Sequence, residues 1–313
     1  MKVSIILCTL SRPQSMERLL ASLAGQSRLP DEIIVVDASE DDKTEQVVNS
    51  AGGAISRRMR YQRSEKGLTK QRNNGLKLAG GDIIGFFDDD VKLEPDYLEK
   101  MISVFEADKG KEIGAATGIV HNPVYSKTLI HKPWNGFIDS LDCHDRVCKY
   151  YRLRKRPEMP FEGTIDTRHL CGCSFFRKEV FDRYSFDEWF EGYGLAEDKD
   201  MGLRVAKSWR MVVVGQAQLW HLHEPANRPN YRKIVVMNFE NHLRVLRHAR
   251  EDKLRLISCI WTIRKIIKYL IFSFSLLCRL RTKDFWLCLS GLLSGTKAAI
   301  PYCLKKYPKD KAF

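Results

Sequence analysis

The sequence predicts an α/β protein in which a mainly parallel sheet is covered by helices on both faces. Three observations predict it. Short continuous apolar runs alternate with amphipathic segments through the first half of the chain. The runs are strand-length, and each is followed by polar residues. The composition, 44% apolar and 29% charged, is that of an ordinary globular chain. At 313 residues the chain accommodates one large α/β domain or one such domain with an appendage.

The elements follow in order. "VSIILC" is a buried strand, and "PQSMERLLASLAGQ" a helix after it. "EIIVV" is the second strand and "DDKTEQVVNS" its helix. "TKQRNNGLKLAGG" reads as a helix stopped by a glycine pair. "DIIGFF" is the third buried strand, and "PDYLEKMISVFEAD" a helix with proline in its first turn. Nine cysteines without a CxxC pair or regular spacing are expected to be reduced, core-type residues. The opening apolar run is too short for a signal peptide, so the chain is expected to stay in the cytoplasm.

Polar residues gather where the strands end. Thr9 and Arg12 follow the first strand, Asp37 the second, and Asp88, Asp89 and Asp90 the third. In open α/β sheets, ligands bind beyond the carboxyl ends of the strands. The first turn, "CTLSRP", has no glycine, which excludes the GxGxxG dinucleotide fingerprint and the Walker A loop. Three adjacent carboxylates are costly to desolvate unless they face water or a cation. They can hold phosphates through a divalent cation, which bridges the two sets of oxygens at about 2.0–2.1 Å for Mg²⁺. Asp88 and Asp90 alternate by two and are expected to point the same way.

Taken together, "SIILCTLSRP", "IIVVDAS", "KGLTKQRNNGLKLAGGDIIGFFDDDV", "CGCSFFRKEVF" and "EGYGLAEDKDMGLRV" resemble the family-2 glycosyltransferases of GT-A fold. The resemblance covers residues 2–224 and implies inverting transfer of a sugar from a nucleotide-sugar to a hydroxyl, with Mn²⁺ or Mg²⁺. It sets Thr9 and Arg12 against the nucleotide diphosphate and Asp37 against the base, favouring uracil and so a UDP-sugar. Gly67 and Arg72 match the segment that closes over the nucleotide. Asp88 and Asp89 would face ribose and donor sugar, and Asp90 would hold the metal. Asp198 matches the catalytic base and Glu197 a residue contacting the acceptor sugar. His221 or His223 matches a further metal ligand, with His221 preferred. Leu10 and Ser11 depart from the family, whose members often carry Arg or Tyr, and Asn, there.

The residues support the same chemistry without the resemblance. Inversion at an anomeric carbon needs one carboxylate to take the acceptor's proton. The leaving diphosphate needs no general acid when a cation neutralises it. "AEDKD" supplies a second acidic cluster far from the triplet. Trp189, Phe190 and Tyr193 precede it as candidates to stack on an acceptor sugar or to pack in the core.

The tail differs in kind. Residues 225–313 carry 19 Lys and Arg against 5 Asp and Glu, a net +14, whereas the first 224 residues are near neutral at −1. Lys253, Arg264, Lys265, Lys268 and Arg279 fall on one helical arc of a segment rich in Ile, Leu, Phe and Trp, including Trp261, Phe272 and Phe274; Arg255 lies off the arc. Its uncharged runs are ten and twelve residues, short of the roughly 20 that span a bilayer. A basic, aromatic-rich amphipathic helix is expected to lie in the interface of an anionic membrane, and "LKKYPKDK" adds charge for headgroups. Nucleic acid is not expected as a partner, since its binding needs exposed stacking groups and not a broad apolar face.

The expected organisation is a catalytic domain at 1–224, a connecting helix at 225–250 and a basic amphipathic helical appendage at 251–313. The expected protein is a peripheral, monotopic glycosyltransferase at the cytoplasmic face of the membrane. Its acceptor would be a saccharide or lipid-linked saccharide of cell-surface polysaccharide or glycolipid assembly. The rivals are a sugar nucleotidyltransferase of similar fold, disfavoured by the glycine-free first loop, and a non-catalytic membrane-bound binding subunit, disfavoured by the intact Asp90, Arg72 and Asp198.

Overall fold

The structure, a computed structural model, describes residues 1–121, 159–168, 170–226, 228–248, 254–278 and 280–303. These fall into two compact units, residues 1–121 with 159–226, and residues 228–303. Cys143, Cys148, Lys253, Arg279 and the basic terminus 304–311 lie outside the described residues, as do the side chains of Arg255 and Trp261.

The first unit is built on a sheet that, among the described residues, has nine strands. They are β1 (Val3–Thr9), β2 (Glu32–Asp37), β3 (Met59–Arg63), β4 (Ile83–Asp88), β5 (Val91–Leu93), β6 (Ile113–His121), β7 (Thr164–Asp166), β8 (Ser174–Arg177) and β9 (Arg210–His221). The path runs β3-β2-β1-β4-β8-β6-β9-β5, with β7 pairing β9 off the path. β3, β2, β1 and β4 are mutually parallel, as are β6 and β9. The remaining pairings are antiparallel.

The parallel half forms because β1, β2 and β4 are apolar on both sides. Val3, Ile5 and Leu7 of β1 enter one core with Met16, Leu19 and Leu23 of α1 (Pro13–Ala24) and Met101 and Phe105 of α4 (Tyr97–Ala107). Ile6 and Cys8 face the opposite core with Phe86, Phe176 and Phe186, and with Met201 and Val205 of α5 (Glu197–Val205). Between β2 and β4 the chain forms α2 (Lys43–Ser50) and α3 (Leu68–Leu78). Helix α4 starts two residues after Pro95, so the proline precedes the helix instead of sitting in its first turn. The described cysteines, Cys8, Cys171, Cys173, Cys259, Cys288 and Cys303, are all thiols.

The second unit is helical: α6 (Tyr231–His248), α7 (Leu254–Cys278) and α8 (Thr282–Cys303) pack on one another. Small residues allow a close approach of α8 to α6. A Cβ at Gly291 would meet the Arg232 carbonyl oxygen at 2.8 Å, and one at Gly295 would meet the Phe239 ring at 2.6 Å. No helix among the described residues is long and apolar enough to cross a membrane. The exposed row of α7 is Ile263, Ile267, Leu270 and Phe274. Of the basic arc expected to face anionic headgroups, Arg264 and Lys268 are half-buried and Lys265 is buried. Phe272, grouped with Phe274 in the sequence reading, packs against Tyr231 with ring centroids 5.6 Å apart.

Candidate active site

The carboxyl edge of the parallel half assembles two connected clusters of polar side chains. The first begins at the β1–α1 turn, where Ser11 takes a left-handed conformation (φ 52°). Thr9 donates from Oγ1 to Asp89 Oδ2 at 2.7 Å, and Arg12 Nη1 donates to Asp89 Oδ1 at 2.9 Å. The same Arg12 nitrogen lies 3.9 Å from Asp90 Oδ2. Asp90 in turn lies 2.9 Å from His221 Nε2, and its Oδ2 accepts the Glu224 amide at 2.9 Å. The rings of His221 and His223 stack at 4.1 Å.

β4 ends at Asp88, and Asp89–Asp90 form a turn into β5. The strand alternation that would set Asp88 and Asp90 side by side therefore stops one residue early. Arg12 brings Asp89 and Asp90 together instead, while Asp88 faces other partners.

The second cluster centres on Arg72 of α3, whose guanidinium is buried. Its Nη1 pairs with Glu197 Oε1 at 2.5 Å and its Nη2 with Asp88 Oδ1 at 3.3 Å. The rings of Phe186 and Phe86 lie 5.1 Å and 5.7 Å from the guanidinium carbon, a desolvated cation–π setting. A planar fork serves this place because it meets two carboxylates at once. Gly172 leaves room for Asp88, since a Cβ there would stand 2.5 Å from Asp88 Oδ2.

Helix α3 organises more than this pair. It opens at Gly67, whose φ of 141° is closed to most side-chain-bearing residues. Gln71 donates to the carbonyls of Thr9 (2.8 Å) and Val36 (2.9 Å), which joins the ends of β1 and β2. Thr69 Oγ1 donates to the Phe190 carbonyl at 3.2 Å, and Asn73 exchanges hydrogen bonds with the Phe186 backbone at 2.9 and 3.0 Å. The Leu68 amide donates to the Gly192 carbonyl at 3.0 Å. The segment before α5 is thus held by the helix that also holds the strand ends. That segment takes left-handed conformations at Gly192, Gly194 and Ala196 before turning into α5. Glu197 and Asp198 then sit in the first turn, where the helix dipole favours negative charge.

Electrostatics separate the carboxylates. Burial raises the Asp89 carboxyl to about 6 against the pull of Arg12 and Thr9. Burial also acts on Asp90, but the hydrogen bond and charge of His221, the Glu224 amide and Arg12 outweigh it and hold that carboxyl at about 2. Burial raises Glu197 to about 8 against Arg72, helped by the charges of Asp198 and Asp88. One guanidinium here pairs with two carboxylates. Glu197 Oε2 is buried and has no hydrogen-bond partner among the described residues. Asp198 is half-buried and joins no ion pair among the described residues; its Oδ1 accepts the Lys199 amide at 2.7 Å.

Asp37 is fully buried at the end of β2. It accepts the Ser39 amide at 2.8 Å and the Tyr61 hydroxyl at 2.8 Å, and Ser39 Oγ also donates to it. Burial and this bond push the Tyr61 phenol up. Trp189 is half-buried and meets Phe190 edge-on at 5.6 Å, while Phe190 is a core residue. Tyr193 is exposed.

A divalent cation fits the donor set of the first cluster. Asp90 is a carboxylate held ionised, and the imidazole beside it adds a nitrogen donor that suits Mn²⁺ better than Mg²⁺. Sequence reasoning missed Tyr61, Glu224, Gln71 and Gly172. Gln71 and Gly172 stand inside the motifs quoted above, next to Arg72 and between Cys171 and Cys173, but their contacts are long-range and leave no local signal.

Comparison with known proteins places the chain in a family. Residues 4–185 match the model of a family described as glycosyl transferase family 2. The chain is similar to a glucosyl-dolichyl phosphate glucuronosyltransferase of Haloferax volcanii, 28% identical over 108 residues, 34% of each chain. It is also similar to a GalNAc(5)-diNAcBac-PP-undecaprenol beta-1,3-glucosyltransferase of Campylobacter jejuni, 34% identical over 95 residues, 29% of this chain and 30% of that one. These alignments span about a third of each relative's length. Among solved structures, S. aureus TarS 1-349 superposes with a TM-score of 0.55 at 16% identity, covering 99% of this chain and 93% of that chain. The same protein in complex with UDP superposes with a TM-score of 0.53.

Proposed function

The chain belongs to glycosyl transferase family 2 and has the GT-A fold, and on that premise we propose that it is an inverting glycosyltransferase. It moves a sugar from a nucleotide-sugar, a UDP-sugar by preference, to a hydroxyl of a saccharide or lipid-linked saccharide. The observation that carries this reading is the Arg72 fork, which ties Asp88 at the end of β4 to Glu197 beside Asp198. It joins a donor-side strand end to an acceptor-side helix start, and a transferase needs both within one rigid arrangement.

The residues divide the work as follows. Thr9, Arg12 and Asp89 form the wall for the nucleotide diphosphate and ribose, with Gly67 at the head of the helix closing over it. Asp37, oriented by Ser39 and Tyr61, faces the base. Asp88 orients the donor sugar. Asp198 takes the proton of the attacking hydroxyl, and Glu197 and Trp189 position the acceptor. Asp90 with His221 or His223 holds Mn²⁺ or Mg²⁺, which supplies counter-charge to the diphosphate leaving group. The lipid-linked saccharides in the names of the Haloferax and Campylobacter relatives, on dolichyl phosphate and undecaprenyl diphosphate, support a lipid-linked acceptor in cell-surface polysaccharide or glycolipid assembly. The net +14 of residues 225–313 supports a peripheral location on an anionic membrane surface, at its cytoplasmic face. On this proposal catalysis belongs to 1–224, the connection to 225–250 and membrane association to 251–313.

The experiment is a panel of nucleotide-sugars presented to the purified chain with Mn²⁺, scored for binding and slow hydrolysis. One donor turned over only with a cation supports the proposal. Nucleoside triphosphate consumption with pyrophosphate release would favour the nucleotidyltransferase instead.

A further inference from the structure

In the second unit, large apolar side chains stand in water in a regular pattern. On α7 they recur at spacings of four, three and four residues, and Phe274 is 66% exposed. That spacing draws one continuous row about 16 Å long at 1.5 Å per residue. On α8, Trp286, Leu293 and Ile300 are exposed at 64%, 62% and 50%, spaced seven residues apart. Lys283 and Lys297 are exposed on that same α8 face. Scattered surface leucines need no explanation, but rows of this kind do.

We infer that these rows are the surface by which the chain enters a lipid interface, with α7 and α8 lying in its plane and Lys283 and Lys297 meeting anionic headgroups. This rests on the peripheral-membrane reading above and deepens it by assigning the inserting face. Charge argues for lipid over a protein partner: the residues are embedded in a segment of net +14, and two lysines interleave with the apolar row. Depth argues the same way, because no described helix spans a bilayer while aromatic and branched side chains of this length reach its boundary region. The face differs from the one the helical arc of lysines and arginines indicates. Lys265 is buried, so the arc does not serve as the contact surface; the apolar row does, with Arg264 and Lys268 on its flank.

The test uses the full chain and sedimentation with vesicles of phosphatidylcholine, with and without about 30 mol% phosphatidylglycerol. The intact chain should bind the anionic vesicles at low salt and retain part of that binding at high salt. Phe274→Ser and Trp286→Ser should each lower partitioning roughly tenfold with an unchanged thermal melt. Lys283→Gln with Lys297→Gln should lower the preference for anionic lipid several-fold. Phe272→Ser should shift the melt and leave partitioning of the folded chain unchanged. Wild-type binding that Phe274→Ser and Trp286→Ser leave intact would overturn the assigned face while sparing the membrane reading. No wild-type binding at low salt would overturn both. A wild-type oligomer that Phe274→Ser converts to monomer, with vesicle binding unaltered, would assign the row to a second copy of the chain and overturn the proposal.

Discussion

The two units break the usual inside–outside rule in opposite directions. The first buries charge: Asp37, Arg72, Asp89 and Asp90 are all nearly inaccessible. The second exposes apolar bulk: Ile263, Phe274, Trp286 and Leu293 each show more than half their surface. Neither departure stabilises a folded chain by itself. Buried charge is costly unless paired, and exposed apolar surface forfeits its burial free energy. The comparison teaches that function is written where the residue type and its environment disagree. On the proposed function, the buried charge is where ligand charge is met, and the exposed apolar rows are where a lipid phase is met. Arg177 shows that burial alone is not the signal. It is equally buried, yet its bonds to Asp108 and to the carbonyls of Phe105 and Ile113 only join α4 to the sheet.

The largest expected effect tests whether the buried-charge region is chemical. Asp198→Asn keeps the shape and removes the basic oxygen, so transfer should fall by roughly 10²–10⁴ with donor binding retained. Near-normal transfer would move the base to Glu197. Next comes the fork. Arg72→Met removes the one guanidinium shared by Glu197 and Asp88, and should cost about 1–3 kcal/mol in chemical denaturation, because the buried Glu197 carboxyl loses its partner. Arg72→Lys should recover part of that loss but not acceptor affinity, since an ammonium cannot meet both carboxylates as a fork does. Equal stability of all three chains would show that the pair is not a structural tie.

A smaller effect sharpens the other side of the comparison. Phe272 and Phe274 lie two residues apart on α7, one against Tyr231 and one in solvent. Phe272→Ser should cost about 1–2 kcal/mol in stability, and Phe274→Ser close to nothing. Reversed costs would mean that the exposed row is buried in solution. The smallest effect is on pH. Burial holds Glu197 at about 8, above its ordinary 4.5. Between those values the folded chain keeps a proton that the unfolded chain has released. The stability this group contributes is therefore complete below about 4.5 and is lost as pH rises through about 8. Glu197→Gln should flatten the decline in melting temperature over that interval, and an unchanged slope would place the titration elsewhere.

Much of the first unit was legible in the sequence, for reasons the structure makes plain. β1, β2 and β4 are apolar on both faces, and Thr9, Asp37 and Asp88 close them. β3, "MRYQR", escaped because it alternates half-buried and exposed positions with charged residues between. The contact of Arg72 with Glu197 escaped because 125 positions separate them and no local pattern encodes the pairing. The turn at Asp89–Asp90 escaped because alternation was extended past the end of the strand. In the tail, helical periodicity groups basic residues on one arc, but periodicity does not say which arc is covered, and Lys265 lies buried. Phe272 and Phe274 look alike in sequence for the same reason.

The central claim is that the buried carboxylates at the edge of the sheet exist to receive a cation and a nucleotide-sugar. Calorimetry of UDP binding to the wild-type chain and to Asp90→Ala, each with Mn²⁺ and then with a chelator, tests it most directly. The account predicts binding by the wild type that the chelator abolishes, and none by a folded Asp90→Ala chain with or without the ion. UDP affinity unchanged by both chelator and substitution would contradict it.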